Sequence, residues 1–446
     1  MAHQTEAACL LETGAMYGKR LLLEPPTGDP IFAGFRPGVF SLYFGDAPIY
    51  HFDREGRWQR AFVAGTHYLK GLDATVQAID RVREGPNLVL KRRTLSDAET
   101  SDLDAEVRAA ALDVLDALGA GRLTRRASPE PTLALSDAEL HDALDRVARW
   151  DAAAWFAHRK SYLGIYAALP LLPPNCQGAV VLQATLGHAG GIAFGGGAAA
   201  GHAVRSPDEF AAHARAVQHL LGRRFEQCRT AFLAGSDVLR QGPENVEGYV
   251  QLIAATFPFD PESPRRRGRN SVDSECALTG IEAFLDDFTP PLPGWPDWRR
   301  LRDRHLRTVT LGIESGSAEI RGLYRKIWTN NDLRALVEQL KSAGVGVGVI
   351  VLVDAGGIEH AERHCAATAE LVNALPLGPG DLVSLLDANE VRDTSLGAVE
   401  LGFTPLTGTR WTEQQAELKR RLLPVRTDRG AKVAPYSLEK QSSSGA

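Results

Sequence analysis

Thr185-Leu186-Gly187-His188-Ala189-Gly190-Gly191-Ile192-Ala193-Phe194-Gly195-Gly196-Gly197-Ala198-Ala199-Ala200-Gly201 follows an apolar run, Ala179-Val180-Val181-Leu182-Gln183-Ala184, and precedes a helical signal that starts near Pro207. An apolar β-type run handed to a glycine-rich turn and then to a helix reads as the first strand-to-helix unit of an α/β fold. Loops at that end of parallel strands are where α/β folds place their chemistry. After Thr185 this loop carries one histidine and no acid, cysteine or hydroxyl.

Downstream of this unit, strand and helix signals alternate. Strands are expected at Ala179 to Leu186, Thr230 to Ala234, Gly280 to Leu285, Thr308 to Ile313, Val345 to Val353 and Leu382 to Leu386. Between them, helices are expected at Pro207 to Leu221, Val246 to Thr256, Trp298 to His305, Asn331 to Ala343 and His360 to Ala374. Such repeats with parallel connectivity give either a doubly wound sheet or an open, partial barrel. In both, the strand ends converge and bring together Gly187-His188, Gly235-Ser236-Asp237, Glu314-Ser315-Gly316-Ser317, Asp354-Ala355-Gly356-Gly357 and Asp387-Ala388-Asn389-Glu390.

Upstream, residues 1–127 read as a small α+β domain. Ser41 to Asp46 and Ile49 to Val63 alternate aromatic and polar residues about glycine turns, a β-meander signal, and helices are expected at Leu72 to Arg83 and Leu103 to Leu118. His51, Asp53 and His67 are weighed as a metal site and read instead as a solvated sheet face. Residues 128–178 form a linker and helix, with Thr124 to Pro131 polar and Ser136-Asp137-Ala138-Glu139 fitting a capping box. Residues 179–390 form the repeat region and 391–446 a C-terminal extension, with a helix at Glu413 to Leu423 and an edge strand at Lys432 to Lys440.

The 446 residues, 44% hydrophobic, suffice for a large core plus smaller domains. A net charge of -5 gives nucleic acid binding no electrostatic support, and Arg265-Arg266-Arg267-Gly268-Arg269 reads as a solvated loop. No apolar run approaches the ~20 residues that span a bilayer, so a cytoplasmic protein is expected. Cys9, Cys176, Cys228, Cys276 and Cys365 have no ligand spacing and read as free thiols.

Thr185-Leu186-Gly187, Gly235-Ser236-Asp237, Thr310-Leu311-Gly312-Ile313-Glu314-Ser315-Gly316-Ser317 and Val349 to Val353 after Lys341-Ser342-Ala343-Gly344 together resemble the core of the radical S-adenosylmethionine (SAM) superfamily over about Ala179 to Glu390. The resemblance implies a partial (β/α)6 TIM-like barrel. It also implies a first loop with C-x3-C-x2-C, whose cysteines hold three irons of a 4Fe-4S cluster. The matching positions here are His188, Ile192 and Gly195. Cluster iron is held by thiolates, with histidine an occasional substitute, so a 4Fe-4S cluster and reductive SAM cleavage are not expected, and no metal ligands are assigned.

By the same resemblance, Gly187, Gly235, Ser236, Asp237, Glu314, Ser315, Ile350, Leu352 and Val353 fall at SAM-binding positions. Carboxylates suit a ligand that carries an ammonium and a sulfonium. Each acid also has a structural reading: Glu314 as a salt bridge to Arg325 or Lys326, Asp237 as a helix N-cap. His188 reads either as a general base or as a solvent-facing loop histidine, with Asp354, Asp387 and Glu390 as secondary bases.

Three functions follow. The first is an enzyme that binds SAM without a cluster and carries out polar chemistry, a transferase or lyase performing alkyl transfer, elimination or cyclisation. The second is a non-catalytic pseudoenzyme that partners an active radical SAM protein. The third is a barrel enzyme for another anionic ligand, such as a phosphate ester held by Gly190 to Gly197. All three expect a small-molecule ligand and neither nucleic acid nor membrane, with a homodimer or a radical SAM protein as the protein partner.

Overall fold

In the computed structural model of this chain, strands β1 (Lys19–Glu24), β2 (Ile31–Arg36), β3 (Val39–Phe44), β4 (Ile49–Asp53), β5 (Trp58–Val63), β6 (Thr66–Lys70), β7 (Val76–Glu84) and β8 (Asn87–Thr94) follow one another as an antiparallel meander. The structure describes residues 19–36, 38–84, 87–126, 133–167, 169, 172–187, 202–235, 237–260, 277–389 and 402–437. Alternation along the strands puts Phe40, Leu42, Tyr50, Phe52 and Val76 into one core. Helix α1 (Asp97–Gly119) closes that core with Leu103, Val107, Ala111 and Val114, four residues at helical spacing.

Three expectations fail in this region. Leu72 to Arg83 is not a helix: Val76–Glu84 is β7, paired with β6 and β8. Val76, Ile79 and Arg83 fit helical spacing, but the most deeply buried residues are Val76 and Ala78, at 0% and 1% against 9% for Ile79, a spacing of two imposed by the neighbouring strands. The segment read as a linker contributes β9 (Thr124–Arg126), and β10 (Leu133–Ala134) follows it. Both pair with β1, which makes the sheet ten-stranded. Helices α2 (Asp137–Ala148) and α3 (Ala152–Ile165) come next, in place of one continuous helix. The Ser136–Glu139 capping box starts α2, and Asp151 caps α3.

The second sheet is parallel and seven-stranded: β11 (Val180–Gln183), β14 (Ala231–Ala234), β15 (Ile281–Leu285), β16 (Leu306–Glu314), β17 (Gly346–Val353), β18 (Leu382–Asp387) and β19 (Lys432–Tyr436). Its spatial order follows chain order, with every neighbouring pair parallel. A doubly wound sheet needs a reversal of order, and these strands have none. Among the described residues, the helices α4 (Pro207–Leu221), α5 (Pro243–Thr256), α6 (Trp295–Asp303), α7 (Ala318–Leu323), α8 (Asn330–Ser342), α9 (Gly357–Ala374), α10 (Thr409–Arg421) and α11 (Leu423–Thr427) accompany these strands. Residues on alternate positions separate: Val347, Val349, Val351 and Val353 join the large core with Leu333, Leu336, Leu371 and Val372 from α8 and α9. Ile350 and Leu352 pack instead with Ile320, Tyr324, Leu386 and Tyr436.

Arg57, just before β5, ties the antiparallel sheet to the end of α4. It is 3% exposed, pairs with Asp53 at 2.7 Å, and donates through Nη1 and Nη2 to the Leu220 and Leu221 carbonyls at 2.7 and 2.6 Å. Those carbonyls belong to the last turn of α4, where a cation also meets the negative end of the helix. No helix among the described residues is long and apolar enough to cross a membrane.

Candidate functional site

The expected first strand divides in two. Val180–Gln183 stays in the parallel sheet, while β12 (Thr185–Leu186) leaves it and pairs antiparallel with β13 (Ala203–Val204). This short ladder closes the base of the glycine-rich segment and sets His202 beside the end of β14. His202 Nε2 lies 2.5 Å from Asp237 Oδ2, and the Thr185 hydroxyl donates to Asp237 Oδ1 at 2.7 Å. Gln241 Nε2 also donates to Asp237 Oδ2, at 3.3 Å. Asp237 occupies the N-cap position of the 3-10 turn Val238–Arg240, but its side chain makes no capping bond there and turns to Thr185 and His202 instead.

Gly235 permits this approach. Its φ is +131°, and a Cβ there would come within 2.0 Å of Thr185 Oγ1. Any larger residue displaces the hydroxyl that holds Asp237.

The second group lies between the ends of β15 and β16. Lys326, 6% exposed, donates through Nζ to the Asp286 carbonyl at 2.8 Å and stands 3.0 Å from Asp286 Oδ2 and 3.3 Å from Glu314 Oε1. Glu314 has φ +52°, a left-handed conformation uncommon for a side chain of this size, and a register irregularity separates it from Gly312. Burial pushes its carboxyl up to about 7 despite Lys326. For Lys326, burial acts downward, but Asp286 and Glu314 outweigh it and the net shift is upward. Glu314 Oε2 is buried and has no hydrogen-bond partner among the described residues. Arg321 stacks over Trp328 at 4.2 Å and donates to the Ser315 carbonyl at 3.0 Å.

Other sequence-selected residues are engaged elsewhere. Ser315 is fully buried: its Oγ meets His364 Nδ1 at 2.9 Å and accepts from the Ser317 amide at 3.2 Å. Burial drives the His364 imidazole down to about 4, so it is neutral. Gly316 packs so closely on α9 that a Cβ would lie 2.2 Å from the Ala367 carbonyl. Asp354, at φ +68° and 0% exposed, accepts the Leu406 amide at 3.0 Å and so fastens the C-terminal segment. Asp387 Oδ1 accepts the Asn389 amide at 2.8 Å.

Ile350 and Leu352 share the apolar cluster with Tyr324, whereas Val353 faces the large core. The three thus do not form one surface, because consecutive strand residues point to opposite faces. Gly187 ends the described part of the first loop, at φ +64°. His188, Ile192, Gly195, Ser236, Glu390, Cys9, Cys276 and the 265–269 arginine run lie outside the described residues.

Sequence reasoning missed His202 and Glu282. His202 is the first polar residue after the glycine–alanine run, which is its only local signal. Glu282 is buried on β15, accepts from Asn175 at 3.0 Å, and is pushed by burial up to about 7. Of the residues weighed as an N-terminal metal site, His51 bonds Ser41 at 2.8 Å and Asp53 pairs with Arg57, and no metal-holding cluster of His, Cys, Asp or Glu occurs among the described residues. A small crevice beside Arg54, Arg146 and Arg223 includes none of the strand-end residues.

No protein-family model matches the chain, and no curated protein matches it. Among solved structures it is similar, distantly, to an apo, selenomethionine-labelled cobalamin-dependent S-adenosylmethionine radical enzyme, OxsB. The identity is 11% and the TM-score 0.31, over 44% of this chain and 26% of that chain. This chain therefore matches about a quarter of that protein's length, and a likeness at this level decides neither fold nor chemistry.

Proposed function

We propose that the C-terminal ends of the parallel strands form a SAM-binding site used for polar chemistry, without a 4Fe-4S cluster. The observation that carries this reading is Glu314: a buried carboxyl with Oε2 unpartnered among the described residues, held in a left-handed backbone conformation at a strand end. A buried acceptor without a donor costs about 1–3 kcal/mol, and a ligand ammonium would remove that cost. Ile350 and Leu352 lie on the face opposite the large core, at the positions where the resemblance puts the adenine, and are buried there among Tyr324, Leu386 and Tyr436. When bound, SAM supplies carbon electrophiles activated by its sulfonium, and this chain supplies binding, orientation and proton acceptance. The sequence of the first loop supports the cluster-free form, since none of His188, Ile192 and Gly195 is a cysteine.

The sheet is read as an open, partial barrel. Its unreversed strand order supports this, because right-handed crossovers then lie on one face. The opposite face also buries Ile350, Leu352, Leu386 and Tyr436, as the inside of a curved sheet would.

Calorimetric titration with SAM and S-adenosylhomocysteine, in buffers of different ionisation enthalpy, tests the reading. A carboxyl poised at about 7 that gains a cationic neighbour gives up its proton, so binding at pH 7 should release roughly half a proton. Glu314→Gln should abolish that release and weaken SAM at least tenfold. Absence of SAM binding, or binding unaffected by Glu314→Gln, would overturn it.

A further inference from the structure

The ladder of Thr185–Leu186 with Ala203–Val204 fixes His202 where the glycine-rich segment ends. Asp237, 5% exposed, receives Thr185 on Oδ1 and Gln241 on Oδ2, so its carboxylate is the acceptor toward the third neighbour as well. His202 Nε2 therefore carries the hydrogen at this 2.5 Å contact, and the ring's lone pair resides on Nδ1. Among the described residues Nδ1 has no hydrogen-bond partner, and the His202 side chain is 29% exposed. A ring oriented by a buried carboxylate, in a side chain that is partly exposed, is the arrangement of a general base.

We propose that Thr185, Asp237 and His202 form a general-base site in which His202 Nδ1 takes a proton from a hydroxyl, thiol or amine of the substrate. The bond from that heteroatom to hydrogen breaks, the heteroatom keeps the electron pair, and the proton goes to Nδ1. Asp237 keeps its hydrogen bond to Nε2 throughout, and solvent later removes the proton. His202 is the catalytic residue; Asp237 and Thr185 are positioning residues. The class of substrate rests on the SAM reading above, because a nucleophile must be unmasked to meet a sulfonium-activated carbon. The ring assignment does not rest on it.

The test uses the full chain labelled with nitrogen-15. Ring correlation spectra should give the neutral tautomer with hydrogen on Nε2, and Asp237→Asn should lose that preference. Carbethoxylation of His202 by diethyl pyrocarbonate, mapped by mass spectrometry, should proceed at least as fast as at exposed His219 and slow at least fivefold under saturating S-adenosylhomocysteine. His202→Gln should bind S-adenosylhomocysteine within threefold of the wild type, which separates proton acceptance from binding. A tautomer with hydrogen on Nδ1, an unreactive ring, or bound S-adenosylhomocysteine that leaves the rate within twofold would overturn the proposal. If S-adenosylhomocysteine does not bind, the SAM reading fails while tautomer and reactivity still decide the base. If Asp237→Asn does not fold, the wild-type spectrum decides it.

Discussion

Lys326 Nζ stands 3.3 Å from Glu314 Oε1, and both side chains are buried. The ammonium also binds Asp286, so one cation serves two carboxyl groups that follow neighbouring strands. Desolvation makes such a group costly to assemble and costly to break.

Removing the cation should expose that cost. Lys326→Met leaves Asp286 and Glu314 facing each other without compensation and should lower stability by about 3–5 kcal/mol in urea unfolding. The double variant Lys326→Met/Glu314→Gln should recover part of the loss, because one carboxylate is then gone. Additive losses in the two variants would mean that the pair is not coupled.

Glu282 predicts a pH dependence. Burial raises its carboxyl from 4.5 to about 7 in the folded chain, so the native state holds a proton that the unfolded state releases between those values. Stability tied to this group therefore falls as pH rises from about 4.5 to 7, and the full cost persists above that. Glu282→Gln should melt higher than the wild type at pH 8 and equally at pH 4.5. Parallel melting curves across this range would contradict the shift.

Arg57 holds the antiparallel sheet to α4 through Leu220 and Leu221. Arg57→Met takes from buried Asp53 the cation hydrogen-bonded to it and from two carbonyls a charged donor, and should cost about 3–5 kcal/mol. Hydrogen exchange should rise first at the C-terminal turn of α4. A uniform rise over both sheets would instead mean that the two unfold together.

Gly235→Ala should be more damaging than Thr185→Ala. It places a Cβ against Thr185 Oγ1 and forces an L residue to φ +131°, whereas Thr185→Ala removes only one donor from Asp237. A loss of about 2 kcal/mol or more is expected for the first and about 1 for the second, read from denaturant midpoints.

Much of the parallel sheet could be read from local pattern. Pro207–Leu221 has a serine N-cap, proline in its first turn and a glycine stop, signals that depend on no distant partner. Val345 to Val353 reads as a strand from β-branched density alone. Val76–Glu84 fits both periods, and only pairing with β6 and β8 makes it a strand. Ile350, Leu352 and Val353 look like one apolar surface in a line of sequence, yet the pleat divides them between two cores.

What the sequence determined by itself is the alternation of strand and helix, the absence of cysteines from the first loop, and the position of Asp237, Glu314 and Asp354 at the ends of separate strands. Tertiary structure alone decided what these acids do. Asp237 meets Thr185 across 52 positions and His202 across 35, Asp354 holds an amide 52 positions away, and Glu314 keeps Oε2 buried without a hydrogen-bond partner among the described residues. Backbone periodicity is set by neighbours three or four positions apart, so sequence reports it directly. Which donor reaches a carboxylate depends on strand register and on where a loop closes, and contacts distant along the chain fix both.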